Sequence, residues 1–203
     1  MVSDADGYTV TMATTTRRPT GLDTRASIEH TAAQIFREKG FDASTLEEIA
    51  APLGITRAAV LHHYGSKVAL LEAITAPVVA QLDELLDRVA ARAPLTARQQ
   101  RSFLAEFVDL VCDHRAVAAM VIRDITVDKH LPPPLQIGQR AARFAGIVLA
   151  NNQADPGAPL HALAALGAIT RPLSAPDELI DLSTPANRRI LVDCAVAALR
   201  AGR

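Results

Sequence analysis

Hydrogen-bonding and small apolar side chains meet at the start of one short predicted helix, over residues 56–64. Arg57 carries a guanidinium, which can donate two parallel hydrogen bonds to the edge of a guanine. The methyl groups of Ala58 and Ala59 permit close approach and can contact a thymine methyl. His62, one turn beyond, can donate to a base or to a phosphate. Residues of these types at the N-terminal end of an exposed helix are suited to recognition of base edges in a DNA major groove.

Phosphate contacts fix the register of such a helix on DNA, and two further places in the sequence can supply them. Thr45 and the backbone amides at the start of the preceding predicted helix can bind a phosphate through hydrogen bonds and the helix dipole. Arg17 and Arg18 precede the first predicted helix, and an arm of this kind can enter an adjacent minor groove. Thr45 therefore joins the candidate DNA-binding residues, and the two arginines remain candidates.

Start and stop signals divide this region into three short helices and a long fourth one. Gly40 ends the first helix, and Ser44 with Glu47 three residues later predicts a capping box for the second. Thr56 predicts the cap of the third helix, and Ser66 that of the fourth. A glycine-containing turn of about three residues between the second and third helices is typical of a helix-turn-helix. The three short helices are expected at residues 24–39, 45–53 and 56–64.

These residues and their spacing resemble the tetracycline-repressor (TetR) family of regulators. The resemblance covers roughly residues 24–74 and rests on Thr24-Arg25-Ala26-Ser27-Ile28, Ala32-Ala33, Phe36, Gly40-Phe41, Ser44-Thr45-Leu46, Ile49-Ala50, Leu53-Gly54-Ile55-Thr56, His63-Tyr64, Ser66-Lys67 and Leu70. It implies that His63 and Lys67 contact phosphates. It also implies that two subunits place residues 56–64 in successive major grooves of a palindromic operator.

Two departures from the family pattern leave a second interpretation open. Leu61 stands where the family often has a phosphate-contacting tyrosine. Pro52 lies late in the second predicted helix, where it removes a backbone donor and can distort the turn. Lys and Arg do not outnumber Asp and Glu between Thr24 and Thr75. The alternative is a helical protein-interaction or small-molecule-binding module with a weakened DNA-binding head.

The rest of the chain, residues 71–203, is predicted to be a helical ligand-binding and dimerisation domain. Apolar residues recur at three- and four-residue spacing, which makes the expected fold class all-α. Pro77 should bend or split the long fourth helix. Further helices are expected at residues 96–113, 115–128, 135–151, 158–170 and 184–200, with an ordered loop over residues 171–183. The candidate ligand-pocket residues are Phe103, Phe107, Met120, Arg123 and Phe144. Arg123, Arg140 and Arg143 can pair with an acidic ligand or, alternatively, with surface carboxylates.

The last two predicted helices are rich in small and aliphatic residues, which suit close packing across a twofold axis. These residues are Leu163, Ala164, Leu166, Gly167, Ile169, Ile190, Leu191, Cys194, Ala195 and Ala198. The family resemblance implies a homodimer with a four-helix interface, to which each subunit contributes both helices.

Composition indicates a globular, cytoplasmic protein. The 203 residues are 49% hydrophobic and 3% aromatic, with a formal net charge of -1 and two cysteines, too few for a disulfide framework. No run reaches the roughly 18 consecutive apolar residues of a membrane span. We expect a disordered tail over residues 1–22, a DNA-binding domain over residues 23–70, and no membrane partner.

Cys112, Asp113 and His114 are the residues on which an enzymatic or metal-binding alternative would depend, with His130 further along. No nucleophile elbow, phosphate loop or metal-ligand pattern accompanies them. We therefore expect no catalytic residue, no metal and no cofactor. The favoured interpretation is a transcriptional regulator, a repressor that an unidentified small-molecule effector releases from double-stranded DNA.

Overall fold

Helices make up all the regular secondary structure in the described part of the computed structural model, which comprises residues 21–124, 126–150, 155–176 and 178–200. The elements are α1 (Gly21–Lys39), α2 (Leu46–Ala50), a 3₁₀-helix (Ala51–Leu53), α3 (Arg57–Tyr64), α4 (Lys67–Ala90), α5 (Ala97–Asp113), α6 (Arg115–Arg123), α7 (Val127–His130), a second 3₁₀-helix (Pro133–Leu135), α8 (Gly138–Leu149), α9 (Ala158–Leu173) and α10 (Pro185–Arg200). The predicted all-α fold class is confirmed. None of these helices has the length and hydropathy needed to cross a bilayer.

The predicted N-terminal tail falls almost wholly outside the described residues, and Arg17 and Arg18 fall outside them too. Residues 21 and 22 are described and belong to α1. The first helix is therefore described from Gly21, a few residues earlier than predicted, a difference of the size expected at helix ends.

The caps of the short helices follow the sequence signals with one shift. The hydroxyl of Thr56 accepts the amide of Ala59 at 3.1 Å, as predicted. The second helix is capped by Thr45 and Glu48, so the predicted box of Ser44 and Glu47 is wrong by one residue. The reason is that Ser44 is buried and its hydroxyl donates instead to the carbonyl oxygen of Gly40.

The two prolines disturb the helices less than the sequence suggested. Pro52 lies in the 3₁₀-helix that follows α2, near its N-terminus, where an amide hydrogen has no helical partner to lose. The turn therefore closes normally, and Gly54 ends it with a φ of 63°. Pro77 lies inside α4, which continues unbroken from Lys67 to Ala90, so the predicted split does not occur.

The helix-turn-helix unit has an apolar core that also includes residues from α6 and α7. Val117, Met120, Val127 and Leu131 are buried against α1 to α4. The partners from the first four helices and the turn after α1 are Ile28, Ala32, Ala33, Phe36, Phe41, Leu46, Ile49, Ala50, Val60, Tyr64, Leu70, Leu71, Ile74 and Val78. The helix-turn-helix unit is thus folded onto two helices of the C-terminal region.

A second core lies among the later part of α4 and helices α5, α8, α9 and α10. Phe103, Phe107 and Phe144 meet at its centre, with ring centroids 4.8 to 6.4 Å apart. Since α4 contributes to both cores, it runs through the boundary between residues 70 and 71 that the sequence suggested. We retain residues 23–70 and 71–203 as proposed domains joined by this helix.

The connections between the later helices differ from the predictions at three places. The helix predicted over residues 115–128 ends at Arg123, because Asp124 leaves the helix to accept the amide and hydroxyl of Thr126. Helix α8 begins at Gly138 rather than at residue 135, after the second 3₁₀-helix. Helix α9 extends to Leu173, and the guanidinium of Arg115 binds the loop that follows through the carbonyl oxygens of residues 173, 175 and 180.

Asp124 generates a prediction about stability, because its carboxylate also accepts the amide of Phe41 at 3.4 Å from the turn after α1. The hydrogen bond from the Thr126 hydroxyl is the largest cause that holds the pKa of this carboxyl below its ordinary value of 3.8. Asp124→Asn should lower the free energy of unfolding by about 1–2 kcal/mol at neutral pH. The native contribution is complete above pH 3.8 and is lost as the pH falls through the lower folded value.

Urea unfolding at neutral and acid pH measures both effects. Glu84→Gln is the control, since this exposed carboxylate lies on α4 and has no described partner. Below pH 4, roughly the unperturbed pKa of Asp, the native chain should lose more free energy of unfolding than the Asp124→Asn variant. Equal losses in the two proteins would contradict the stabilising role of the Asp124 carboxylate.

Candidate nucleic-acid interface and internal cavity

Helix α3 is fixed along one side and open along the other. Val60 and Tyr64 are buried in the N-terminal core, whereas Arg57, Ala58 and His62 are exposed. Ala59 is half-buried between the two sides. Exposed residues at the N-terminal end of a helix are what contact with base edges requires, and Arg57 and Ala58 are exposed in the first turn of α3.

Tyr64 anchors the far end of α3 to α1. Its phenol donates to Glu29 Oε1 at 2.8 Å, with the carbonyl oxygen of Arg25 at 3.1 Å. The guanidinium of Arg25 lies 4.8 Å from the centre of the Tyr64 ring, a cation–π distance. Burial, and then the bond to Glu29, raise the pKa of the phenol far above its ordinary range. The tyrosine stays protonated and acts as a donor throughout the physiological range.

Arg57 has a partner on α2. Its Nε lies 3.2 Å from Glu47 Oε1, and the two side chains are 59% and 61% exposed. A pair this exposed contributes little to stability, roughly 0–1 kcal/mol. Arg57 can therefore exchange Glu47 for another acceptor, such as the edge of a base.

Thr45 lies in a setting that opposes phosphate. Its hydroxyl accepts the amide of Glu48 at 3.2 Å, and its own amide donates to the Glu48 carboxylate at 2.9 Å. The ion pair with Lys39, and then the Thr45 amide, hold the pKa of Glu48 below its ordinary range. A phosphate at the start of α2 would meet the carboxylates of Glu47 and Glu48, so the contact from Thr45 stays a prediction.

Lys67 holds the turn after α1 in place. Its ammonium donates to the carbonyl oxygens of Phe41 at 2.7 Å and Ser44 at 2.8 Å, with Asp42 at 3.4 Å. The nitrogen also lies 4.4 Å from the centre of the Phe41 ring. These contacts give Lys67 a role in positioning the turn after α1. Its predicted contact with a phosphate stays a prediction.

The two histidines of α3 differ in exposure. His62 is exposed, and His63 is half-buried, with its ring centroid 5.9 Å from that of His62 and 6.3 Å from that of Tyr64. His63 is thus partly accessible to solvent. Its predicted phosphate contact remains a prediction.

The local charge of this surface is close to balanced. Between Thr24 and Thr75 the sequence has five basic residues, Arg25, Arg37, Lys39, Arg57 and Lys67, and six acidic ones, Glu29, Glu38, Asp42, Glu47, Glu48 and Glu72. Several of these form ion pairs with one another, including Lys39 with Glu48 and Arg25 with Glu29. Long-range attraction between this surface and a polyanion is therefore weak.

An apolar cavity of about 250 Å³ lies between α4, α5, α6, α8 and α9. Its walls are Thr75, Val78, Val79, Leu82, Phe107, Leu110, Val111, Val117, Ala118, Val121, Ile122, Ile137, Arg140, Ala141, Phe144, Leu166 and Thr170. Only three of these residues have polar side chains. A cavity of roughly 150 Å³ is enough for benzene, so this one admits a somewhat larger apolar molecule.

The cavity contains two of the five predicted pocket residues. Phe107 and Phe144 line it. Phe103 and Met120 are fully buried in the two cores and outside its lining. Arg123 is exposed at the end of α6 and also lies outside the lining. Periodicity identified the inward faces of the helices, and it does not tell which inward residues border an empty space.

Of the lining residues absent from the predicted list, Arg140 is the one with a charged side chain. It is 8% exposed and binds both carboxylate oxygens of Asp83 on α4, at 3.1 and 2.5 Å. Arg143 lies 2.7 Å from Asp83 and 2.5 Å from Asp87. The signal was available in the sequence, because two acidic residues four apart on α4 match two arginines three apart on α8.

The residues of the enzymatic alternative have structural partners. Cys112 is buried, and burial raises the pKa of its thiol. Asp113 pairs with Arg188 at 2.7 Å, and His114 lies 3.2 Å from Gln81. His130 pairs with Asp42 at 2.9 Å and its ring packs on Phe41. Across the described ranges, no group of three His, Cys, Asp or Glu residues could hold a metal ion.

Comparison with known proteins gives a family match and many shared folds. Residues 28–74 match the model for bacterial regulatory proteins of the tetR family. No curated protein matches the chain. AmtR from Mycobacterium smegmatis superposes with a TM-score of 0.71 at 18% identity, over 90% of this chain and 88% of that chain.

Two further solved structures agree with this fold. A TetR-family regulator from Bordetella parapertussis has a TM-score of 0.69 at 18% identity, over 89% of this chain and 95% of that one. The ketosteroid transcriptional regulator KstR2 of Mycobacterium tuberculosis has a TM-score of 0.67 at 14% identity, over 87% and 93%. Residues 28–74 therefore match the N-terminal model of the tetR family of bacterial regulatory proteins, and the chain has the helical fold of the solved TetR-family transcriptional regulators.

Proposed function

We propose that the chain acts as a homodimeric transcriptional repressor, which a small molecule bound in the C-terminal region releases from a palindromic operator. The observation that carries the proposal is the open face of α3, on which Arg57, Ala58 and His62 are exposed while Val60 and Tyr64 hold the helix to its core. Contact with bases falls to Arg57, with Ala58 and Ala59 allowing close approach. Thr45, Thr56, His62 and His63 surround them and supply phosphate or base contacts.

A dimer follows from the requirements of DNA binding and from an apolar surface. A monomer with a single recognition helix binds DNA weakly. In a dimer, two recognition helices bind half-sites about one helical turn apart at the same time. Leu160 and Leu163 on α9 are 72% and 58% exposed, and Ile190 on α10 is 56% exposed. Ala164 and Cys194 are exposed on the same two helices. Ile169, Leu191 and Ala195, which the sequence also suggested for the interface, are buried within the subunit and support it from inside.

Regulation is assigned to the cavity because its walls include the helix that connects the two cores. Helix α4 contributes Thr75, Val78 and Leu82 to the wall, and its first turn follows α3 directly. A ligand that favours one position of α4 over another changes the spacing of the two recognition helices in the dimer. Operator affinity then changes by as much as the ligand prefers that position.

We propose a binding protein rather than an enzyme. The side chains of the enzymatic alternative are engaged with Arg188 and Gln81 or buried, and no nucleophile with an adjacent base emerges from them. The effector is bound and released unchanged. A second candidate function is a protein-interaction module, supported by the balanced charge around α3 and by Leu61, which is half-buried.

Gel-shift assays with the DNA upstream of the chain's own gene separate these functions. Specific retention of that DNA, competed by itself and not by unrelated duplex, supports the regulator. If the chain retains neither this DNA nor any duplex selected from a random library, the result favours the protein-interaction module.

Arg57→Ala should weaken operator binding by about 1–3 kcal/mol, roughly 5- to 150-fold, because a bidentate base contact is lost. It should also relax the preference at one base pair of each half-site, which binding to single-base operator variants measures. Arg98→Ala is the matched control, since Arg98 is exposed on α5 and has no described partner. Equal affinity of the Arg57→Ala variant and the native chain would reject the assigned role.

Lys67→Met tests whether this lysine positions the turn or contacts DNA. A positioning role predicts a loss of about 1–3 kcal/mol in the free energy of unfolding, because the carbonyl oxygens of Phe41 and Ser44 lose a charged donor. The dependence of operator affinity on salt should keep its slope. If the slope of the logarithm of operator affinity against the logarithm of salt concentration fell in magnitude by about one, the result would instead indicate a lost phosphate contact. Lys129→Met on α7 is the control, as this lysine is exposed and has no described partner.

Leu163→Glu should convert the dimer to a monomer, because it places charges on both sides of an apolar interface. Sedimentation at micromolar concentration measures the change, and operator binding should fall together with dimerisation. Ala80→Glu, at an exposed position of α4, should leave the dimer intact. A native chain that is monomeric and still binds the operator tightly contradicts this part of the proposal.

A further inference from the structure

The cavity combines an almost wholly apolar wall with one arginine, and the state of that arginine constrains the ligand. Four of the five N–H hydrogens of Arg140 are used: two on Asp83 and one each on the carbonyl oxygens of Gln136 and Pro134. The guanidinium charge is therefore already matched by a carboxylate at bidentate geometry. One hydrogen on Nη1 has no described acceptor.

The charges next to Arg140 also cancel one another. Arg143 also lies against Asp83, and its second contact is with Asp87. The cluster thus contains two arginines and two aspartates and carries no net charge. A carboxylate that entered the cavity would lose its hydration without gaining an unpaired cation, and Asp83 would repel it.

The other two polar groups of the wall are hydroxyls. Thr75 donates its hydrogen to the carbonyl oxygen of Leu71 at 2.7 Å, so its oxygen can only accept a further bond. The hydroxyl of Thr170 has no described partner. Together with the remaining hydrogen of Arg140, these groups can serve one or two oxygen atoms of a ligand, and the rest of the wall is apolar.

We infer that the effector is an uncharged, mainly apolar molecule with one hydroxyl or carbonyl oxygen, and that Asp83 excludes anions from the cavity by neutralising Arg140. Asp83 is thereby a specificity-determining residue that need not touch the ligand. This inference rests on the proposed role of the cavity as the effector site. It commits to a chemical class, and an organic acid that displaces Asp83 from Arg140 is the outcome that would overturn it.

Matched alcohols and acids test the inference on the full chain in the absence of DNA. A 250 Å³ cavity suggests chains of about six to eight carbons, so the probes are 1-hexanol, 1-octanol, hexanoate and octanoate at neutral pH. Titration calorimetry should give saturable binding of at least one alcohol. Binding of the acid of the same length should be at least about tenfold weaker, since it leaves a buried charge unpaired. Equal or tighter binding of the acid, or no binding of either alcohol, overturns the inference.

Two variants of neighbouring alanines on α8 locate the binding. Ala141 lines the cavity, and Ala142 beside it is exposed. Ala141→Phe should abolish alcohol binding by filling the space, whereas Ala142→Phe should keep it. Ala118→Leu, on the α6 wall, provides a smaller filling change if Ala141→Phe unfolds the chain. Alcohol binding that survives both filling changes in folded protein places the site elsewhere and overturns the inference.

Asp83→Asn tests the assigned cause. Without its carboxylate partner, Arg140 should accept an anionic ligand, and octanoate affinity should rise by roughly tenfold or more while 1-octanol still binds. Unchanged rejection of octanoate in this variant contradicts the role of Asp83. Operator binding is measured separately by gel shift. A chain that prefers alcohols but binds no DNA refutes the regulator alone, and one that binds its operator but prefers octanoate refutes the ligand class alone.

Discussion

The turn that joins α1 to α2 is held from two directions, and the orientation of α3 depends on it. Lys67, the first residue of α4, binds the carbonyl oxygens of Phe41 and Ser44. From the other side, Asp124 accepts the amide of Phe41, and His130 packs on the Phe41 ring. Because α2 begins directly after this turn and α3 packs on α2, these contacts couple the orientation of α3 to helices of the C-terminal region.

Helix α6 contributes residues both to the N-terminal core and to the wall of the cavity. Met120 is buried in the N-terminal core, while Ala118, Val121 and Ile122 face the cavity. Cores are packed at crystal-like density, so a wall that moves to admit a ligand displaces its neighbours instead of compressing them. The proposed release of the operator therefore has two physical routes, through α4 and through α6, and both end at the turn that carries α2.

The sequence predicted local features well where one residue type decides the backbone. Gly40, Gly54 and Gly65 all have positive φ at the ends of the predicted helices, and Thr56 and Ser66 are caps as expected. Predictions failed where another hydrogen bond competed with the expected helical one. Ser44 lost the cap to Thr45 because its hydroxyl was used inside the turn. At Asp124 the helix ends in a local turn closed by Thr126, and the same carboxylate accepts the amide of Phe41, 83 residues away along the chain, a contact that no local pattern contains.

The same limit explains the site. The open face of α3 could be predicted, since helical spacing puts Ala58 and His62 on the side opposite to Val60 and Tyr64. Arg57 is exposed because it is the first residue of the helix. The cavity could not, because a void is set by how five helices pack rather than by any one of them. Charge shows the difference most clearly. Arg57 and Arg140 each have a carboxylate partner, yet the first pair is solvated and can exchange while the second is buried and cannot. An exposed pair leaves its arginine free to choose a new acceptor, and a buried pair removes its arginine from that role.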